Sequence, residues 1–230
     1  MTEKKGSLTE EFVHQIELKI LSGEWKTGTK IPTLRDLAAD MGMSRSVINA
    51  GIVELINKGY LKTVPRKWTE VADWKREGTL AVLNGLMENR IRDAEVLTSL
   101  LDSRMVIETR SAYLAALNRS EKDLMKLKAI TDKEKTINDI NAAVENDLAF
   151  HHMVAVASGN LVYPLILKSF ENSTYTLIKE FYSTEGVQEF VYGRHYNIYK
   201  AIENQDAEGA RKLMSELLLH GENIINGQGR

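Results

Sequence analysis

The sequence predicts a mainly α chain of two unlike parts. Residues 1–73 read as three short helices and a small β-hairpin, and residues 74–230 as helices alone. Three observations carry this. Apolar residues recur every third or fourth position along most segments, which is the helical period. One stretch, Tyr60 to Val71, instead has β-prone runs broken by Pro65-Arg66-Lys67. From about Trp74 onward no strand pattern is convincing, and Pro164 is the only proline of that part.

The elements follow in order. Ser7 and Glu10 have the capping-box spacing, and behind them Leu8, Phe12, Ile16 and Ile20 form one apolar stripe closed by Gly23. Glu24 to Pro32 is a connector. Thr33, three residues before Asp36, starts a second short helix that carries Leu34, Leu37, Ala38 and Met41 and stops at Gly42. Ser44 caps a third, with Val47, Ile48, Ile52, Leu55 and Ile56 apolar and Gly59 at its end. Tyr60–Val64 and Trp68–Val71 make the hairpin. Helices are then expected over 80–87, 96–117, 121–130, 137–157, 162–181, 190–202 and 207–225, with Pro164 in the first turn of one of them.

Composition narrows the class. Hydrophobic residues make up 43% and charged residues 27% of 230 positions, an ordinary globular balance. No apolar run approaches the roughly 18 residues a membrane span needs, and the first residues lack a secretory apolar core. The absence of cysteine excludes disulfides and thiolate chemistry and fits the cytoplasm. The net charge of −2 argues against a wholly basic nucleic-acid coat. Charge is nevertheless uneven, because residues 41–69 carry Arg45, Lys58, Lys62, Arg66 and Lys67 against Glu54 alone. Such a patch can bind phosphates or simply be solvated.

Two short helices joined at Gly42, one helix before them and a hairpin after, are the parts of a winged helix-turn-helix. In that arrangement the later helix enters the major groove with its N-terminal residues. Ser44, Arg45, Ser46 and Asn49 form that start, Arg45 suiting guanine and the serines phosphate oxygens. Arg35 points to the DNA backbone or a groove edge, and Arg66 and Lys67 at the hairpin tip can reach a neighbouring groove. The alternative is a small helical subdomain with Ser44 only a cap and Arg45 only solvated.

The run Gly23-x4-Gly28-x2-Ile31-Pro32-x2-Arg35-x-Leu37-Ala38-x3-Gly42-x-Ser44-Arg45-x-x-Ile48-x6-Leu55-x3-Gly59-Tyr60-Leu61 resembles the N-terminal signature of GntR-family regulators. The resemblance implies that Arg35, Arg45 and Ser46 touch operator DNA. Asn49, where arginine is frequent, and the wing Val64-Pro-Arg-Lys-Trp68, where glycines are usual, depart from the pattern and bear on which operator is read. A helix-turn-helix of this kind reads a two-fold operator as a homodimer.

In the second part, Asp147 and His151 are four apart and project from one helix face. They can share a divalent cation or hydrogen-bond along the helix, and two ligands alone do not make a site. His195 and His220, on later helices, are candidates to complete it, and His152 points elsewhere. Asp147-x-x-Phe150-His151, Ala157-Ser158-Gly159-Asn160, His195-x-x-Ile198-x-x-Ala201-Ile202 and Ala210-x3-Met214 resemble the FCD effector domain of the FadR subfamily. That resemblance implies an antiparallel helical bundle, a metal (zinc or nickel) held by one aspartate and three histidines, and a small acidic metabolite as effector. Asp147, His151 and His195 match three ligand positions; the fourth is Leu217, with His220 one turn later. The resemblance also sets Arg104 facing the effector cavity, where it suits a carboxylate. Arg104 can equally pair with Glu108 on its own helix.

The segment Ala155 to Leu167, with Val71-Ala-Asp-Trp74, resembles the acyl-CoA-responsive members of that subfamily, which lack the metal ligands. Two effector classes therefore stand, a metal-supported carboxylate and an acyl-CoA. Two rivals are a metal-dependent helical-bundle enzyme and a protein-binding scaffold. There is no pair of Glu-x-x-His motifs of the di-iron type, no phosphate loop and no nucleophile motif to favour an enzyme.

Overall fold

A computed structural model describes residues 7–89 and 94–225. Helix α1, Leu8–Leu21, starts where expected. The Glu10 amide donates to Ser7 Oγ at 3.2 Å while the Ser7 amide donates to the Glu10 carboxylate at 2.7 Å. Two amides that a helix start leaves open are thus satisfied locally. Its stripe of Phe12, Val13, Ile16 and Ile20 is buried.

Helix α2, Leu34–Met41, is capped by Thr33, and helix α3, Arg45–Lys58, by Ser44, each side chain accepting from the amide three residues on. Gly42 and Gly59 end them in the left-handed conformation that L side chains rarely adopt. The turn between the helices is sharp for that reason. Ile48, Gly51, Ile52 and Leu55 face inward.

Strands β1, Leu61–Val64, and β2, Trp68–Val71, pair antiparallel with Leu61 opposite Val71 and Val64 opposite Trp68. The connector before α2 does more than link. Amide bonds from Gly28 to the Val71 carbonyl, from Val71 to Thr29 and from Ile31 to Thr69 lay it along β2. The edge of β2 is therefore covered rather than left open.

Helices α4, Trp74–Glu77, and α5, Ala81–Glu88, fold back on this module. The Thr79 amide donates to the Lys58 carbonyl, Tyr60 donates to the Val82 carbonyl at 3.4 Å, and Lys62 pairs with Glu77 at 3.0 Å. The first compact unit accordingly runs through α5, and the second begins with the next helix. The division expected after residue 73 lies inside the first unit, because the apolar residues Val82 and Leu86 bury against it.

The second unit is an antiparallel helical bundle: α6 (Ala94–Asn118), α7 (Glu121–Glu134), α8 (Ile140–Ala157), α9 (Tyr163–Tyr182), α10 (Val187–Glu203) and α11 (Ala207–Ile225). Its core joins Leu127, Val144, Phe150, Val154, Val191, Ile198, Ile202 and Met214. Three helix ends differ from expectation by three residues or more, one being the start of α10, at Val187 rather than Phe190. Helix α7 runs four residues past Ile130, and α8 begins at Ile140 rather than Ile137, since Asp139 caps it by accepting from the Ala142 amide at 2.8 Å. Ile137 stays apolar and buried, but in the connector. Among the described residues no helix is long and apolar enough to cross a membrane.

Candidate functional site

The first site is the outer face of α3. Arg45, Ser46 and Asn49 are exposed at its start, and Ser44 Oγ lies 2.9 Å from Ser46 Oγ while capping Val47. Val53, one turn further, is 49% exposed on an otherwise buried apolar set. The sequence pattern did not single it out; a valine methyl at that place suits contact with a thymine methyl. Arg35 is exposed at the start of α2. Arg66 and Lys67 stand exposed at the hairpin tip, Arg66 with a φ of 60° that the turn imposes. Beside them the Trp68 ring is flanked by Lys30 and Lys67, each ammonium 5.5 Å from its centroid. None of Ser44, Arg45, Ser46, Asn49, Arg66 and Lys67 is used in the core, so the helix start and the tip are free to meet a groove and its phosphates.

The second site lies inside the bundle and draws on five helices. Asp147 and His151 project from α8 one turn apart, and His195 comes from α10. All three are buried, and their ligand atoms lie within 4.8 Å of one another. His151 Nε2 is 3.8 Å from one Asp147 oxygen and His195 Nε2 is 3.7 Å from the other. The far nitrogens are held by carboxylates: His195 Nδ1 by both oxygens of Glu134, at 3.1 and 3.0 Å, and His151 Nδ1 by Glu108. Tyr182, at the end of α9, donates to Asp147 at 3.1 Å. The Phe150 ring stacks on His195 with centroids 3.8 Å apart and fixes its plane.

Charge here is arranged to be kept. Burial pushes the Glu108 carboxyl up, but the guanidinium of Arg104 and the imidazole of His151 outweigh it and hold it at about 2. Burial favours the neutral form of His151, yet Glu108 and Asp147 raise it above its ordinary value. Burial, with Asp147 and Glu134 nearby, raises the Tyr182 hydroxyl, so it remains a proton donor. His195 Nε2 is a buried nitrogen with no hydrogen-bond partner. A lone pair aimed at a carboxylate and a second imidazole, its ring oriented by a carboxylate behind it, is the donor set of a divalent metal. The residues fit such an ion.

His220 does not complete the set. Its ring packs on Phe190 at 4.0 Å between centroids, and Leu217 faces the site from α11. The reason is helical phase: Met214 and Leu217 point inward, and three residues beyond Leu217 the side chain has turned toward α10. Arg104 bonds Glu108 at 2.6 Å and also lines the pocket that opens beside Asp147 and His151. Arg104 thus pairs along its own helix and faces a pocket at the same time. His152 is apart from the three ligands, as expected. Glu134 and Tyr182 went unnoticed in the sequence because each stands at a helix end, outside any recurring pattern.

An exposed helix start on a winged head, in one chain with a helical bundle that carries a pocket, is the architecture of a transcription regulator. The profile of the family of bacterial regulatory proteins called gntR matches residues 8–71, and that of the FCD domain matches residues 99–220. The Glc operon transcriptional activator of Escherichia coli (strain K12) is 28% identical over 213 residues, spanning 88% of this chain and 82% of its own. The HTH-type transcriptional regulator Mce2R of Mycobacterium tuberculosis is 26% identical over 218 residues, spanning 93% and 90%. The solved structure of Lar, which controls the agr system of Listeria monocytogenes, superposes with a TM-score of 0.71 at 18% identity over 98% of this chain and 99% of that one. The chain belongs to the GntR family of DNA-binding transcription regulators, with an FCD domain as its second module.

Proposed function

We propose that the protein is a repressor that binds a two-fold operator as a homodimer in the cytoplasm and yields it when a small carboxylate binds beside a divalent metal in the FCD domain. The proposal includes membership of the FadR subfamily. DNA reading is assigned to Arg35, Ser44, Arg45, Ser46, Asn49, Arg66 and Lys67 in residues 1–73. Sensing is assigned to helices α6 to α11. The observation that carries the sensing half is the unpartnered, buried Nε2 of His195 beside Asp147 and His151.

Asp147, His151 and His195 would hold zinc or nickel, with Glu134 and Glu108 fixing the two imidazoles and Tyr182 orienting the carboxylate. The metal supplies a positive centre for an acid's carboxylate. Arg104, held by Glu108, supplies a second cation at the pocket wall. An effector shifts DNA affinity only by the difference in its binding to the two arrangements of the dimer. An acyl-CoA reading is less favoured, since three buried ligand residues serve no purpose in it.

The test is operator binding by fluorescence anisotropy, on a duplex selected by the protein from a random library. Binding should weaken with salt, and Arg45→Ala should cost about 1–3 kcal/mol of affinity. Metal-loaded protein should release the duplex on addition of a matching acid, and His195→Ala should not. Release that is equal in both proteins would sink the metal-supported reading.

A further inference from the structure

The pocket beside Asp147 and His151 is two-sided in its chemistry. Its polar groups Arg104, Asp147 and His151 are buried, and so are the apolar Leu101, Ile178, Phe181 and Leu217 around them. Leu217 is buried beside them, and the wall then passes to Leu218 and Ile225, half-buried near the end of α11. Leu101 and Phe181 close the sides. Arg104 is the one arginine or lysine among the lining residues, and it already shares its charge with Glu108. The remaining charged group of the lining is Glu222, half-buried toward the outer end and without an ion-pair partner among the described residues.

We infer that the effector is an acid with a single carboxylate and an apolar tail, its carboxylate inward at Arg104 and the metal ligands and its tail outward along Leu217, Leu218 and Ile225. This rests on the proposed carboxylate site and names the class of acid it takes. Two features select against a second carboxylate. The outer wall offers hydrocarbon in place of hydrogen-bond donors, and a charge set there loses its water without repayment. The charge it would meet is Glu222, of the same sign. A tail gains where the charge loses, because Leu217, Leu218 and Ile225 give up water to it.

The matched probes are hexanoate and adipate, equal in carbon number and different in one terminal carboxylate, with butyrate and citrate beside them. Titration calorimetry on the full-length, metal-loaded protein reads the affinities. Hexanoate is expected to bind at least about tenfold tighter than adipate, and roughly tenfold tighter than butyrate, at about a three- to fourfold gain per buried methylene. Glu222→Gln should narrow the gap by raising adipate affinity several-fold and leave hexanoate unchanged, with circular dichroism confirming the helix content. Adipate or citrate binding as tightly as hexanoate would overturn this inference and leave the carboxylate reading standing. A gap of full size in the Glu222→Gln protein would overturn the placement of the tail. If none of the four acids bound, both readings would fall.

Discussion

Glu134 shows how much a single side chain can decide at the residue scale. It is not among the residues that line the pocket, yet both its oxygens hold His195 Nδ1 and leave Nε2 as the free donor. Replacing such a carboxylate behind a metal-bound histidine typically costs 10–100-fold in metal affinity. Glu134→Gln is therefore expected to weaken zinc binding by roughly that factor with the fold unchanged, and competition against a chromophoric chelator measures it. Equal affinity would mean that the ring is oriented by Phe150 alone. Glu108 makes a different, pH-dependent contribution. Its folded value of about 2 lies below the ordinary 4.5. A depressed carboxylate stabilises the fold above its unfolded value and loses that contribution as pH falls toward the folded one. In metal-free protein the urea midpoint should fall between about pH 4.5 and 2, and less steeply in Glu108→Gln. Identical slopes would remove Glu108 as a source of acid sensitivity.

Among the elements, α3 has two duties and its faces are separated accordingly. Its inner face closes on α1 so tightly that a Cβ on Gly51 would stand 2.2 Å from the Phe12 ring. Gly51→Ala should therefore destabilise the head by about 1–3 kcal/mol, the usual cost of overpacking, against a helix-propensity gain near 1 kcal/mol. Thermal melting checks the sign; a stabilised variant would mean that Phe12 has room to swing away. The elements themselves were legible in the sequence wherever local chemistry set them. Ser7, Thr33 and Ser44 cap the helices they were expected to cap, Gly42 and Gly59 end two of them, and the hairpin turns at Pro65-Arg66-Lys67. What depended on the partner across the core was not legible. Ile137 continues the apolar rhythm of α8 but belongs to a connector, because Asp139 takes the cap. The candidate site divides in the same way. Asp147 and His151 share a helix and could be paired by spacing, and the resemblance added His195. Glu134, Tyr182 and the outward turn of His220 depend on how α7, α9 and α10 pack, which no spacing along the chain contains.

For the molecule as a whole, the chain separates into two compact units, each with its own core, and each site lies within one of them. The outer face of α3 is surface that the head does not need for packing, whereas Asp147, His151 and His195 belong to the interior of the bundle. Changes at Arg45 can thus alter DNA affinity with little effect on stability, while changes at Asp147 or His195 reach the bundle's centre. This contrast follows from exposure alone: Arg45 is open to solvent and His195 is fully buried.

The way α4 and α5 clasp the head bears on where the chain can be cut. Tyr60, wholly enclosed, has Gly85 against its hydroxyl, and Gly59 abuts Gly78 so closely that an added methyl would stand 2.6 Å from the Gly78 Cα. A DNA-binding fragment ending after residue 73 would strip away this cover, wetting Tyr60 and leaving the Lys58 carbonyl without its Thr79 donor. A fragment carried through residue 89 should melt as one cooperative unit, and the shorter one should melt lower or aggregate. Equal melting temperatures would show that the last two short helices are passengers, and the natural breakpoint would move back to the end of the wing.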